Sequence, residues 1–271
     1  MPIEINAPTN DRIKKLLKLQ TKSRERKKQG LFVTEGTKEI SFALQKGYEV
    51  TEIFYSKEKT QEEHIKALEN QCEEAGIHPL WISCSQAVFN KIAYREGTSE
   101  MVAIIKMKAY DLQNLPLGDK PLIMVCEGME KPGNLGALLR TADAAGASAV
   151  IMADAQVDLY NPNAIRSSVG CIFSMPVAFD TSQNVIDFLR AKGIKIYVTH
   201  IEAAAPYFEQ DYTEACAIIA GSEAWGVTDL WANESDQNIV IPMRGINDSL
   251  NVSVAAAIVT FEAVRQRDMK K

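Results

Sequence analysis

A smaller α/β unit followed by an α/β unit built on a mostly parallel sheet is the fold class that the 271-residue sequence predicts. Three observations carry it. Short, nearly continuous apolar runs recur along the chain, as strands buried on both faces require. Segments with apolar residues at helical spacing separate most of them. One stretch, "KAYDLQNLPLGDK" at 108–120, interrupts the alternation with polar residues, proline and glycine. It divides the chain into an N-terminal domain at 1–107, a linker at 108–120, and a C-terminal domain at 121–271.

In the N-terminal half, Thr9 or Asn10 caps a helix with Ile13, Leu16 and Leu17 at helical spacing, and Gly30 stops it. "LFVTEG" reads as a strand and "TKEISFALQKG" as a helix ending at a glycine. "VTEIFYS" is a strand, and "QEEHIKALENQCEEAG" a helix with Ile65, Leu68 and Cys72 on one stripe. The strand "IHPLWIS", the short helix "SQAVFNKIA" and the strand "MVAIIKM" complete the half. The C-terminal half offers the strands "PLIMVCE", "SAVIMA", "MPVAF", "IKIYVTH", "CAIIAG" and "NIVIPM". Helices are expected at about 134–145, 163–171, 182–192 and 227–233, and a last one at about 250–267.

Composition bounds the function. An apolar content of 46% and a charged content of 24% are those of an ordinary globular chain. No stretch approaches the ~20 apolar residues of a membrane span. The N-terminus lacks the apolar core of a secretory signal, so a cytoplasmic protein is expected. Cys72, Cys84, Cys126, Cys171 and Cys216 are dispersed, with no CxxC pair, and His64, His78 and His200 form no ligand-spaced group with them. Neither a disulfide framework nor a metal site is expected. The net charge of −5 is unevenly spread. Residues 11–30 hold Arg12, Lys14, Lys15, Lys18, Lys22, Arg24, Arg26, Lys27 and Lys28 against Asp11 and Glu25. Such density suits phosphate neutralisation on a nucleic acid, and it equally suits a solvated helix face.

In parallel sheets ligands sit beyond the carboxyl ends of strands, so the loops leaving those ends are the places to seek a site. After "PLIMVCE" comes "GMEKPGNLGALLRTADAAGA". Pro132-Gly133 makes a turn and Asn134 is placed to cap the next helix. Leu135, Leu138, Leu139, Ala142 and Ala145 form the sheet-facing stripe. Gly136 and Arg140 lie one turn apart on another face, which leaves room beside the guanidinium. A glycine inside a helix costs roughly 1 kcal/mol relative to alanine and so needs a reason. The Gly133–Gly136 spacing is not that of a dinucleotide site. After "CAIIA" comes "GSEAWGV", in which Gly221 permits close backbone approach. Glu223 there caps the next helix, anchors an arginine or binds substrate. After "NIVIP" comes "MRGINDSLNVSVAAAI", where Ser249 is a fair N-cap. Asn251 shares a face with Ala255 and Ile258 and should point inward, where its amide needs a backbone partner or a site.

These three stretches resemble the signature motifs of the SpoU (TrmH) class of SPOUT RNA 2′-O-ribose methyltransferases. Asn134, Gly136, Arg140, Thr141 and Ala142 match the first motif. Gly221, Glu223 and Gly226 match the second. Ile241, Pro242, Met243, Gly245 and the run Ser249–Ala255 match the third. The likeness spans 121–265 in order, while 10–107 is similar to the smaller substrate-binding domain of the ribosomal-RNA members. The resemblance implies S-adenosylmethionine as cofactor, without a metal. It implies a C-terminal trefoil knot and an obligate homodimer whose sites are each completed by the other subunit. It assigns cofactor binding to Gly221, Gly226, Ile241, Met243 and Leu250, and the polar site to Asn134, Arg140, Glu223, Ser249 and Asn251. RNA contacts fall to Arg12, Lys14, Lys15, Lys22, Arg24, Arg26 and Arg166.

The chemistry asks for alignment of a ribose oxygen with an activated methyl and for a way out for one proton. A guanidinium, with a pKa above ~12, is not an ordinary base. Arg140 is therefore expected to clamp a phosphate and stabilise developing negative charge, and Glu223 to orient. Arg166, before a Ser-Ser-x-Gly turn, contacts phosphate or is a surface arginine. Trp225 narrows the pocket or packs at an interface. Ribosomal RNA is favoured over transfer RNA because a separate N-terminal domain is present. A non-catalytic RNA-binding protein of the same fold is the rival, and a methyltransferase acting on a base or small molecule fits the motifs less well.

Overall fold

The computed structural model describes residues 3–94, 100–108, 110–201, 204–222 and 225–270. The first elements are β1 (Ile3–Ile5), α1 (Asp11–Thr21), α2 (Ser23–Gln29), β2 (Leu31–Glu35) and α3 (Thr37–Gln45). They are followed by β3 (Val50–Ser56), α4 (Glu62–Glu74), β4 (Leu80–Cys84), α5 (Gln86–Ile92) and β5 (Met101–Lys106). The later elements begin with β6 (Leu122–Glu127), α6 (Pro132–Ala144), β7 (Ala149–Ala153), α7 (Pro162–Ser168) and α8 (Cys171–Ser174). Then come β8 (Val177–Asp180), α9 (Ser182–Ala191), β9 (Lys195–Thr199), β10 (Ala205–Pro206) and β11 (Cys216–Ala220). The last elements are α10 (Asp229–Asn233), β12 (Gln237–Val240) and α11 (Val252–Met269). No described helix is long and apolar enough to cross a membrane.

Two compact units emerge. One comprises Met1–Lys108 with Asp158–Phe173, the other Ala109–Val157 with Ser174–Lys271. In the first, the sheet order is β1-β4-β3-β5-β2. The strands β1, β4 and β3 run parallel, whereas β5 is antiparallel to both β3 and β2. The expected single helix up to Gly30 is two. Lys22 leaves helical geometry (φ −120°, ψ 107°), and Thr21 Oγ1 donates to the Leu17 carbonyl at 2.8 Å. The first piece buries Ile13, Leu16 and Leu19, with Leu17 only half-buried. The second has no apolar stripe and buries only Arg26.

That burial explains how Asp158–Phe173 joins this unit. The Arg26 guanidinium, 2% exposed, donates through Nε to Asp158 Oδ2 at 2.8 Å and through Nη1 to the carbonyls of Leu19 and Gln20. Beside it Tyr160 stacks on Phe32 with centroids 4.2 Å apart, and its hydroxyl lies 3.3 Å from that of Tyr48. Gly170 sits so close to Phe42 that a Cβ there would lie 2.6 Å from the ring.

The second unit's sheet runs β10-β12-β9-β11-β6-β7-β8, with every described pairing parallel. Alternate residues feed opposite faces. Ile123, Ile196, Val198, Ala217 and Ile219 pack with α9 and Trp231, while Leu122, Tyr197, Cys216 and Ile218 pack with Val259 and Ala263 of α11. Leu112 and Leu115, in the stretch expected as linker, are buried in the first of these layers. The carboxyl ends of β6, β7 and β11 thus lie side by side in register.

Candidate functional site

Beyond those three strand ends lies a cleft of about 800 Å³, a size suited to a small-molecule site. Its floor is a buried polar knot. Glu127, the last residue of β6, accepts hydrogen bonds from the Thr228 amide (2.7 Å), the Thr228 hydroxyl (2.8 Å) and the Ser182 hydroxyl (3.2 Å). Ser182 Oγ in turn accepts from the indole N–H of the buried Trp231 at 3.0 Å. A buried carboxylate is tolerable only when its lone pairs are used, and here three donors use them. Reading by sequence misses Glu127, whose only signal is a lone charge ending an otherwise apolar strand. Asp154 follows β7 with a left-handed backbone (φ 46°) and accepts from the Ser182 amide at 2.9 Å. Burial pushes the Cys126 thiol at the cleft wall up to about 12, so it stays protonated and is no nucleophile at neutral pH.

The loop after β11 forms one wall. Ser222 and Gly226 exchange backbone hydrogen bonds of 2.9 and 3.0 Å, and Gly226 has φ 68°. A Cβ on Gly221 would lie 2.0 Å from the carbonyl carbon of Gly226, so the close approach that this glycine permits is to its own loop. A Cβ on Gly226 would meet nothing within 4 Å and stand in open space at the cleft. Glu223 lies outside the described residues. Trp225, in the same loop, is 90% exposed.

The opposite wall starts at α6. Pro132 begins the helix earlier than expected, because its preset φ suits the first turn and its missing N–H costs nothing there. Asn134 is therefore inside the first turn rather than the cap, with its side chain free of capping duty. Its Oδ1 accepts from Asn251 Nδ2 at 3.3 Å. Asn251 is the N-cap of α11, accepting from the Ser253 amide at 3.0 Å. The cap expected at Ser249 is corrected: its hydroxyl donates instead to Asp248 at 3.1 Å, and the residue is exposed. Asn251 is also exposed, not inward, because a capping residue precedes the helix and does not share its face.

The sites expected from sequence therefore divide. Asn134, Gly221 and Gly226 line the cleft, as does Val252, and Asn251 is bonded to its wall. Arg140 is exposed one turn above Gly136, and its guanidinium forms no hydrogen bond or ion pair with a described residue. Ile241, Met243 and Leu250 do not line this cleft; they belong to residues 241–250, which have no regular structure and are mostly exposed. Among the described residues, no group of three or more His, Cys, Asp or Glu is placed to hold a metal.

Residues 121–261 match the profile of the SpoU rRNA Methylase family, and residues 10–103 match that of the MRM3-like substrate binding domain. The chain belongs to the SpoU rRNA Methylase family. This SpoU chain is 33% identical to the 23S rRNA (guanosine(2553)-2′-O)-methyltransferase RlmP of Bacillus subtilis, over 95% of its own length and 98% of the relative's. It is 30% identical to a 23S rRNA (uridine(2479)-2′-O)-methyltransferase of Streptomyces viridochromogenes, over 90% and 85% of the two chains. Its fold superposes on the AdoMet-bound rRNA methyltransferase from Sinorhizobium meliloti with a TM-score of 0.88 at 27% identity, covering 97% of each chain. It superposes on the SpoU methyltransferase AviRb from Streptomyces viridochromogenes in complex with AdoMet with a TM-score of 0.87 at 28% identity, covering 96% and 98%.

The cations of this SpoU chain's N-terminal unit are not equivalent. Arg26 is removed from the expected RNA contacts, because it is buried against Asp158. Arg12 and Lys15 both hold the buried Glu52, at 3.1 and 2.8 Å. Lys14 pairs with Asp11 at 3.0 Å. Lys18, Lys22, Arg24, Lys27 and Lys28 are exposed with no hydrogen bond or ion pair to a described residue through their side chains. Arg166 is exposed on α7 and borders a small cleft with Gln20 of α1 and Tyr94, within the same unit.

Proposed function

We propose that this chain is an S-adenosylmethionine-dependent methyltransferase that modifies a ribose 2′-hydroxyl of ribosomal RNA and works as a homodimer. One observation carries the reading: the Asn134–Asn251 hydrogen bond joins the first motif to the third across 117 positions, at a cleft whose other wall is the second. The large-subunit RNA is the favoured substrate, since the full-length relatives act on 23S rRNA and a 10–103 substrate-binding match accompanies the catalytic one.

The residues fit the cofactor. Gly226 presents bare backbone to the cleft and Gly221 lines it beside Gly226. Ile241, Met243 and Leu250, outside that lining in a single chain, supply their carbonyl and amide groups once the 241–250 segment is covered by the partner subunit. S-adenosylmethionine, when bound, supplies a methyl already activated on a sulfonium. The protein's task is then to bring one ribose oxygen into line and to stabilise the charge it develops. Asn134 and Asn251 orient each other and the hydroxyl's ribose. Arg140, further along α6, clamps the neighbouring phosphate through its planar fork. Glu223 and Ser249 complete the polar set. No side chain in this set is a ready base, so the proton leaves through the phosphate or a water.

The homodimer is supported by what a single chain leaves uncovered. Met243, Ile246, Leu250, Val254 and Phe261 are all exposed by 37% or more along 243–261. Apolar exposure of this kind marks an interaction surface. In the dimer each subunit covers the other's 241–250 segment and completes its site. A C-terminal knot is supported by the strand order: β11 lies between β6 and β9, yet α11, which comes after β12 on the far side of β9, returns to pack on β11 and α6. Residues 1–107 act as the substrate-binding domain, with Lys22 and Arg24 among its RNA contacts, and Arg166, in the segment Asp158–Phe173 of the same compact unit, adds another.

Mapping 2′-O-methyl marks in RNA from cells with and without the gene tests the reading. The expected result is loss of one mark in 23S rRNA. A mark lost from transfer RNA would move the substrate there instead. Unchanged marks together with retained RNA binding would make this a binding protein.

A further inference from the structure

We propose that Trp225 is the platform on which the nucleobase of the target nucleotide stacks. This makes it a positioning residue, and the inference rests on the RNA methyltransferase reading above. Three tryptophans are present in the chain. Trp231 is fully buried with its N–H bonded to Ser182, and Trp81 is half-buried with its ring 6.3 Å from that of Tyr55. Trp225 differs from both. It is 90% exposed, and neither its ring nor its indole N–H has a partner among the described residues. So large an apolar ring is rarely left in water without a use.

Its exposure does not come from a loose backbone. The Trp225 amide donates to Ser222 Oγ at 3.2 Å, and the Ser222–Gly226 backbone pair closes the loop around it. The ring is thus presented at the cleft by a turn that Gly221 packs against too closely for any side chain. Its neighbours in the cleft decide what it meets. Trp225 shares that space with Lys131 and Asn134, the start of the first motif, and with Gly221 and Gly226, the two cofactor-assigned positions that line it. At 90% exposure the ring stands in solvent at the edge of the cleft, where an incoming RNA meets it first, and a base comes attached to the ribose that RNA brings. RNA enzymes read unpaired nucleotides by stacking them on aromatic side chains, and an indole accepts any base face. Placing the base fixes the glycosidic bond and, through it, the direction of the 2′-hydroxyl.

The test compares Trp225→Phe, Trp225→Leu and Trp225→Ala in full-length protein, with deproteinised 23S rRNA from cells lacking the gene as the probe. Methyl transfer, AdoMet affinity by calorimetry and sedimentation are measured for each. The expected result is that Phe keeps kcat/KM within about threefold, while Leu and Ala lower it by about five- to a hundredfold, the range found for removing one stacked base. AdoMet affinity and oligomeric state should stay at wild-type values. Leu performing as well as Trp would overturn the platform, because apolar packing without a π-face would then suffice. AdoMet affinity falling in parallel with transfer would assign the ring to the cofactor's adenine, and a shift to monomer in Ala would assign it to the partner subunit; either overturns the proposal. Wild-type protein that binds no AdoMet and methylates no ribosomal RNA would refute the underlying function, whereas a wild type that works beside an unaffected Trp225→Ala refutes the platform alone.

Discussion

Asn251 illustrates how one side chain does two jobs. As N-cap its Oδ1 accepts from the Ser253 amide of α11, and its Nδ2 donates to Asn134. The sequence pattern places the cap two residues early, at Ser249, because Ser and Asn are equally good caps and only the observed chain direction distinguishes them. Glu127 is invisible for a related reason: its three donors come from Ser182 and Thr228, distant in sequence. Arg140 is singled out in the sequence by the glycine one turn below it; the structure buries Gly136 within the packed face of α6, which gives that glycine a packing reason, and leaves the guanidinium exposed. Its proposed clamp makes a sharp prediction. Arg140→Lys keeps the charge and loses the fork, so single-turnover methyl transfer with saturating RNA should fall about a hundredfold, the lower end for losing one preorganised donor. Near-normal transfer would mean that charge alone suffices.

The cationic pair α1 and α2 shows where composition misleads. Counting charges treats nine basic residues alike, yet packing assigns Arg26 to Asp158 and both Arg12 and Lys15 to Glu52. Which cations stay in water depends on the break at Lys22, which periodicity does not reveal because a short polar helix carries no apolar stripe. The exposed subset is expected to carry the electrostatic part of RNA binding. Replacing Lys22, Arg24, Lys27 and Lys28 by glutamine should reduce the slope of log affinity against log salt by about 3, at ~0.7–0.9 per phosphate contact. Arg26→Ala should act differently, lowering stability by about 3–5 kcal/mol because Asp158 loses its buried partner. Filter binding across a salt series and urea denaturation separate the two effects. An unchanged slope would move the RNA contact elsewhere.

The alternation of apolar runs and amphipathic helices makes both sheets readable, including the parallel arrangement of the second. The order of their strands is not readable, because nothing local states that β11 inserts between β6 and β9. The three-residue β1 and the two-residue β10 fall below any periodic signal. α11 reads as a helix with no wet face, and in one chain it leaves Val254 and Phe261 in solvent. Sedimentation equilibrium should accordingly give twice the 30.0 kDa of the chain, and Phe261→Glu should yield monomers with impaired methyl transfer. A wild type that remains monomeric at micromolar concentration would remove the shared-site proposal.

The inclusion of Asp158–Phe173 in the first unit bears on how the protein is made. Chains emerge from the ribosome N-terminus first, and domains usually close as they appear. Here Arg26 and Phe32 are synthesised long before Asp158 and Tyr160, their partners in the finished core. Until translation has passed β7, the nascent N-terminal unit holds an uncompensated guanidinium and an uncovered ring. Its closure must wait until β6 and β7 have been made, so the first unit is completed only when the second is already under construction.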